Sequence, residues 1–591
     1  MRDVIVIGAG GGGPTTAKEL AAQGLDVMLL EGGPRNAHPR SRWSTFENDS
    51  SNPLIGYLRF GPSDRSQPAW FREHAQNSFV WQLSGVGGST QIYVGNSPRA
   101  YPGVFADYDG PDRNKYDVAH RFPFGYSEMV PYYEWVEATL PVQTAAMGTK
   151  EEVWFNGCAA AGLPLQTTKT TKEESYRPQE NAILQPGGNA GRTSDPNLLA
   201  HPLATGCTFC GHCPHGCIRP IDAPRNLIAK RSTDNSYVPM AITAEAWARG
   251  GRPATLIADA FVTKIHTESV HGRTTATGVT WRDNRTGEHH REDAKVVVMA
   301  GGCIENPRLW FNSGLPNPND WVGRGLTDHF LDAVTGVFPH SIKSTQGAGS
   351  AARADFPGRG AHLSVQSAPS LQAFLFNASD SGIRGHYTNG RGIPGQWDGL
   401  TGRTVGPDLK DLMMSGIDHF MWVAVLTDDD VEAQNRVVLS GLPGDAHGPV
   451  PKVIVQSRKR SARTVANRDY VSGWAAKILR AAGAHTVIRQ DAMSIPLHVQ
   501  SSMRMGHSAE DSVLDADGQA RWVDRLFITD NSALPNALGG PNPTLSTQAL
   551  ATRTAERIFQ LYFGGDPWVR TEVPVVSTDP RISARLAQLG L

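Results

Sequence analysis

The chain has 591 residues, 56 Lys plus Arg against 57 Asp plus Glu, 39% hydrophobic residues and 62 glycines. That length supplies ample core and allows about three or four domains at roughly 150 residues each. A net formal charge of −1 offers no electrostatic footprint for nucleic acid or an acidic membrane surface, and no apolar run reaches the roughly 20 residues that span a bilayer.

Val4-Ile5-Val6-Ile7 reads as the first strand of a parallel sheet, buried on both faces. It runs straight into a glycine cluster and leaves no room for a signal peptide. As written, the chain is expected to start in the cytoplasm, with export by a signal-bearing partner subunit left open. The cluster satisfies G-x-G-x-x-G at Gly8, Gly10 and Gly13, and Pro14 suits the first turn of a helix running to about Gln23. A second strand, Val27 to Leu30, ends in Glu31, eighteen residues after Gly13. Strand, glycine turn, helix and acid at these spacings predict a dinucleotide site, with the pyrophosphate at the helix N-terminus and Glu31 accepting ribose hydroxyls. The acid favours FAD or NAD over NADP. A tight turn with a solvated Glu31 is the bland alternative.

Further along stand Gly85-Val86-Gly87-Gly88-Ser89-Thr90, then Tyr93 and Asn96-Ser97-Pro98-Arg99. Four of the six cysteines follow within eleven residues: Cys207, Cys210, Cys213 and Cys217. Their spacing matches a bacterial ferredoxin run, although Pro214 follows the third cysteine rather than the fourth. An iron-sulfur cluster, a zinc site using the interleaved His212 and His215, a disulfide-braced loop and a structural loop with free thiols all remain open. Cys158 and Cys303 read as ordinary buried residues. Thr255 to Ile265 reads as a strand. Lys295 to Met299 is a buried strand turning through Ala300-Gly301-Gly302-Cys303 into a helix bearing Asn306-Pro307. Val322-Gly323-Arg324-Gly325-Leu326-Thr327-Asp328-His329 comes next. Ser344 to Ser367 is rich in Gly, Ser and Ala and reads as loops shaping an active-site mouth. Phe420 to Leu426 and Arg436 to Leu439 read as strands. His498 lies in Leu497-His498-Val499-Gln500-Ser501-Ser502. The C-terminal block is Leu526-Phe527-Ile528-Thr529-Asp530, Gly540-Pro541-Asn542-Pro543-Thr544-Leu545 and Gln548-Ala549-Leu550-Ala551.

In this order, these segments resemble the landmarks of the glucose-methanol-choline (GMC) oxidoreductases from residue 3 to about 560. The resemblance implies an α/β fold, α+β overall: a Rossmann-like FAD-binding domain in separated pieces, and a substrate domain with an antiparallel sheet and helices. We expect the FAD domain at 1–120, 225–335 and 500–565, and the substrate domain at 121–200 and 336–499. The cysteine-rich loop spans 201–224 and a C-terminal tail 566–591. The resemblance places Gly87, Gly88 and Ser89 in the flavin loop, Val262 as a backbone contact to adenine, and Asp530 at the ribityl or pyrophosphate region. Pro543 and Thr544 would begin a helix aimed at the flavin pyrimidine. No histidine stands in the flavin loop where some relatives attach FAD covalently, so the FAD is expected to be non-covalent. Some sugar dehydrogenases of the superfamily carry a similar cysteine-rich stretch and relay electrons through an iron-sulfur centre to a haem subunit; other members have no known cluster.

Alcohol oxidation by a flavin needs a base for the hydroxyl proton and a hydride acceptor at flavin N5. His498 falls where the family places its catalytic histidine, and Asn542 where it places the second member of the pair. Asn542 also precedes Pro543 and a long helix, so it is an N-cap candidate. Two departures stand out: Ser501-Ser502 replaces the usual Gly-Thr, and Tyr93 replaces a common Asn. The expected function is oxidation of a CH-OH group of a sugar, glycoside or polyol, with oxygen, a quinone or a redox partner subunit as acceptor. Trp397 and Trp422 are compatible with sugar stacking. The alternatives are a sterol or long-chain alcohol oxidase, a non-catalytic electron-relay flavoprotein, and an NAD-dependent dehydrogenase.

Overall fold

A computed structural model describes residues 1–35, 73–74, 82–144, 147–184, 206–211, 213–215, 217, 224–329, 332–365, 387–388, 406–441, 443–455, 460–491 and 497–591. The strand Arg2–Ile7 lies at the centre of a parallel sheet. It pairs with Val27–Leu30 on one side and with the C-terminal half of His289–Met299 on the other. Thr255–Ile257 extends the sheet beyond Val27–Leu30, and Leu526–Ile528 extends it beyond His289–Met299. Val4, Ile5 and Val6 are fully buried, each worth roughly 1.5–3 kcal/mol in removal from water. This is why the short β-branched run, covered on both faces, reads so clearly as a central strand.

The predicted strand from Thr255 to Ile265 is in fact two. It breaks at Asp259, whose φ of 57° is left-handed. Ala260–Val270 then leaves the parallel sheet and pairs antiparallel with Arg273–Asp283, which returns to the N-terminal half of His289–Met299. One long strand therefore serves both the parallel sheet and the antiparallel extension.

The second sheet has seven strands. Across it run Tyr387–Thr388, Thr486–Asp491, Asp332–Val337, Phe420–Thr427, Gly360–Val365, Ala352–Phe356 and Ser175–Pro178, with every pairing antiparallel. Strand alternation divides its faces. Met421, Val423 and Val425 pack under the helix Ala462–Ala481 with Val471, Ile478 and Leu479, while Trp422, Ala424 and Leu426 face a cavity.

The expectation of loops from Ser344 to Ser367 is overturned here, because Ala352–Phe356 and Gly360–Val365 form a hairpin. Ala352 and Ala354 are buried in the cluster under the long helix, where small side chains fit close packing. Composition alone read them as loop-forming. After contributing the edge strand Ser175–Pro178, the chain returns to this second sheet at residue 332, whereas the helix Tyr126–Thr139 packs on the parallel-sheet side against Thr544–Phe563. The C-terminal stretch ends in a helix, Pro580–Gln588, whose Ser583 hydroxyl donates to Asn226. Among the described residues, no helix is long and apolar enough to cross a membrane.

Candidate active site

A single cavity runs from Glu31, past the glycine turn and the Gly85–Gln91 loop, to His498 and Asn542, with the second sheet as its far wall. Its first end is built by close backbone packing. Gly8 has a φ of 102°, and a Cβ on Gly13 would lie 1.9 Å from the Gly8 carbonyl oxygen. Around Gly10, by contrast, a Cβ would meet nothing within 4 Å; the backbone is bare toward the cavity. The helix Gly13–Ala22 starts at Gly12 with no side-chain cap, so its first N–H groups are available to an anion.

Glu31 is buried beside this turn. Its two oxygens accept the N–H groups of Ala9 (2.7 Å) and Gly33 (2.8 Å). Burial pushes its carboxyl up while those bonds pull it down. A carboxylate retains lone pairs for ribose hydroxyls after two such bonds. Val262 lines the same end, as do Phe261 and His447, whose ring centroids lie 4.1 Å apart. His447 comes from the second half of the chain, and no local sequence signal marked it.

The flavin-loop candidates are held against the turn. Gly88 sits so close to Gly10 that a Cβ would fall 2.7 Å from the Gly10 Cα. Thr233 donates to the Gly10 carbonyl (2.9 Å) and meets Thr90 (3.1 Å). Gly87 has a φ of 103°, and Ser89 faces the cavity. Lys230 is buried and donates to the carbonyls of Gln91 (2.6 Å), Tyr93 (2.7 Å) and Cys213 (2.7 Å). It thus ties the flavin loop to the cysteine loop. Tyr93 lines the cavity, but its hydroxyl donates to the Arg231 carbonyl.

Asp530 closes the last strand of the parallel sheet. It accepts the Gly302 N–H (2.7 Å) and the Asn306 amide (2.8 Å) on one oxygen, and the Ser532 N–H (2.8 Å) on the other. It therefore joins the start of the helix Gly302–Asn312 to the C-terminal block while lining the cavity.

At the far end, Asn542 donates from Nδ2 to His498 Nε2 at 3.4 Å. The helix Thr544–Phe563 is capped by Pro543 with no side-chain bond, so the N-cap reading of Asn542 is overturned. Its Oδ1 is buried without a partner among the described residues. Thr544 and Pro543 line the cavity beside it. Burial, and then the neighbouring His329, hold the His498 imidazole well below the ordinary histidine range. Asn96 also lines this cavity, and both ends of its amide are buried and unpartnered among the described residues. It stood in a quoted motif without a role. Trp422 faces the cavity together with Leu363, Val365, Ala424 and Leu426; Trp397 lies outside the described residues.

Two parts of the chain match the family description "GMC oxidoreductase", residues 171–331 and 433–551, and residues 3–45 match "FAD binding domain". The chain belongs to the GMC oxidoreductase family. It is 27% identical to the 6'''-hydroxyparomomycin C oxidase of Streptomyces lividus over 94% of this chain and 91% of that one. It is 25% identical to the 2-methyl-1,2-propanediol dehydrogenase of Mycolicibacterium austroafricanum over 94% and 95% respectively. Its fold is similar to pyridoxine 4-oxidase from Mesorbium loti, with a TM-score of 0.57 at 15% identity over 94% of this chain and 99% of that one. The protein is an FAD-dependent oxidoreductase. The bare turn at Gly10, the uncapped helix and the orphaned amide of Asn96 fit that cofactor.

Nothing in the described part of the cysteine loop supports a metal cluster. No group of three or more His, Cys, Asp or Glu side chains that could hold a metal ion occurs among the described residues, which include Cys207, Cys210, Cys213 and Cys217. None of the six cysteines is in a disulfide. Cys213 packs with Ile183, Ala348 and Ala351, and burial pushes the Cys207 thiol up to about 12. His212 and the side chain of His215 lie outside the described residues. The loop's visible contribution is to the wall, where Pro214 lines the cavity.

Proposed function

We propose that the enzyme oxidises a CH-OH group of a sugar, glycoside or polyol, with His498 as the base. The observation that carries this reading is the pair His498 Nε2 and Asn542 Nδ2, 3.4 Å apart at the cavity wall. A hydroxyl oxygen placed against both atoms would donate its proton to Nε2 and receive the Asn542 amide hydrogen. The amide steadies the oxygen as negative charge develops on it. A depressed histidine remains unprotonated at neutral pH, as a base must before it acts. Bound FAD supplies the hydride acceptor. Trp422 offers a flat apolar surface on which a sugar ring could stack, and the named relatives include one for a hydroxyparomomycin and one for a propanediol.

We further propose that the FAD is held non-covalently. The loop offers Thr90 and Gln91, whose side chains are engaged with the carbonyls of Gly87 and Val86. Acid precipitation of the protein should leave the flavin in the supernatant.

One observation favours a second reading. The cavity face of the second sheet carries Leu363, Val365, Ala424 and Leu426, which would suit a sterol or long-chain alcohol. Anaerobic titration of the flavin absorbance with sugars, polyols, sterols and fatty alcohols decides between them. Bleaching by sugars or polyols is expected, and bleaching by the lipophilic alcohols alone would replace the first reading with the second. His498→Ala should slow bleaching about 100-fold or more while retaining FAD; an unchanged rate would refute the base.

A further inference from the structure

Behind His498, on the side away from Asn542, lies a histidine that the reaction above does not use. The segment Val322 to His329 is bound edge to edge with the catalytic segment: Thr327 N–H donates to the Gln500 carbonyl (3.0 Å), and Gln500 N–H to the Thr327 carbonyl (2.8 Å). Asp328 Oδ1 accepts the backbone N–H groups of both His329 and His498, each at 2.9 Å. These bonds bring the two imidazoles together. His329 is 1% exposed. Its Nδ1 lies 2.9 Å from His498 Nδ1, and its Nε2 lies 3.0 Å from the Ala537 carbonyl oxygen. The rings meet edge-on, with centroids 4.9 Å apart and planes at 80°.

The hydrogen positions follow from these partners. A carbonyl oxygen only accepts, so His329 Nε2 carries a hydrogen. Burial, with the Arg353 charge in support, lowers the His329 imidazole to about 4, so at neutral pH it holds no second proton. Its Nδ1 is then a bare acceptor. The contact between the two Nδ1 atoms is a hydrogen bond only if His498 Nδ1 donates it. A neutral His498 with its hydrogen on Nδ1 has a bare Nε2, the atom that meets Asn542 at the cavity.

We propose that His329 is a positioning residue: by accepting from His498 Nδ1 it fixes the tautomer that turns the basic Nε2 toward the substrate. The proposal rests on the reading of His498 as base. When Nε2 takes the hydroxyl proton, the imidazolium keeps its Nδ1–H bond to His329. The charge is thereby stabilised by a neutral partner where a carboxylate would otherwise serve.

The test uses the FAD-loaded enzyme and any substrate that bleaches it. His329→Leu removes the acceptor, whereas His329→Asn can return an amide oxygen near the Nδ1 position. By anaerobic stopped flow, His329→Leu should lower the limiting rate of flavin reduction about 100-fold with substrate Kd changed less than about 3-fold, and His329→Asn should recover to within about 10-fold of wild type. A Leu variant as fast as wild type, or an Asn variant as slow as Leu, overturns the proposal. His498→Ala, measured alongside, separates the two ideas. If it reduces flavin at the wild-type rate, the base reading itself fails. If it is slow while His329→Leu is fast, only the positioning role fails. Should His329→Leu not retain FAD, ¹⁵N NMR of histidine-labelled wild-type holoenzyme, assigned with His498→Ala, reads the tautomers directly. Hydrogen on Nδ1 of His498 and on Nε2 of His329 supports the proposal, and the opposite pair refutes it.

Discussion

Replacing Asn542 by Ala discriminates between two jobs that one residue could hold. Were it an N-cap, truncation would cost about 1 kcal/mol of stability and leave the chemistry intact. The helix Thr544–Phe563 takes no side-chain bond at its start, so the loss of stability should be small. The amide instead faces His498 at 3.4 Å with its Oδ1 unpartnered among the described residues. Its role in the reaction would be to donate one hydrogen bond to an oxygen acquiring negative charge, worth roughly 1.5–3 kcal/mol. At 1.36 kcal/mol per factor of ten, Asn542→Ala should slow flavin reduction by roughly 10- to 150-fold. The assay is anaerobic stopped-flow reduction at saturating substrate, paired with a thermal melt of the FAD-loaded protein. A rate within about 3-fold of wild type together with a stability loss near 1 kcal/mol would refute this reasoning and restore the cap.

Three further outcomes are expected. His498 is depressed below its ordinary value of 6.5 by burial and by His329, so the unprotonated base persists as pH falls; kred/Kd should show no ascending limb between about pH 6.5 and 8, and a limb centred in that range would contradict the assignment. Lys230→Met strands the buried carbonyls of Gln91 and Cys213 and the partly buried one of Tyr93; at about 1–3 kcal/mol for each buried one, that should loosen the flavin loop enough for FAD to be lost on gel filtration, and full retention would show that the lysine is not a tie. Ser501 has a φ of 71° and a buried hydroxyl without a partner among the described residues, so Ser501→Gly should raise stability by about 1 kcal/mol after allowing for glycine's greater freedom when unfolded; a lower melting temperature would contradict that.

Local features were the most legible in the sequence. The turn from Arg2–Ile7 into Gly13–Ala22 and the strand Val27–Leu30 depend on spacing within some thirty residues, where steric demands on glycine and the period of an apolar run leave few alternatives. Features set by packing were less legible. Ala352 and Ala354 are buried strand residues because they pack in the cluster under a helix that begins more than 100 residues downstream. Asp259 breaks a run that looks continuous because its two halves have different partners, Val27–Leu30 for one and Arg273–Asp283 for the other.

The same distinction explains the site. Motif register singled out His498 and Asn542 as the proposed pair, but the ring proposed to orient His498 lies in a segment 169 residues earlier. No periodicity links Val322–His329 to Gln500, because the link is a two-bond bridge between irregular segments. That bridge has a physical consequence for how the enzyme is built. The parallel sheet and its glycine turn define one end of the cavity, and the antiparallel sheet defines the far wall. The proposed base, His498, belongs to neither sheet; it hangs between them on Asp328, which accepts its backbone N–H, and on His329, which meets its ring. Burial raises the Asp328 carboxyl to about 7, so this support is itself poised near neutrality, and either protonation state leaves Oδ1 able to accept both N–H groups. With His498 as the proposed base, the antiparallel sheet can therefore differ in cavity-facing residues such as Trp422 and Leu363 without displacing it, because its orientation is fixed by backbone bonds and one buried ring.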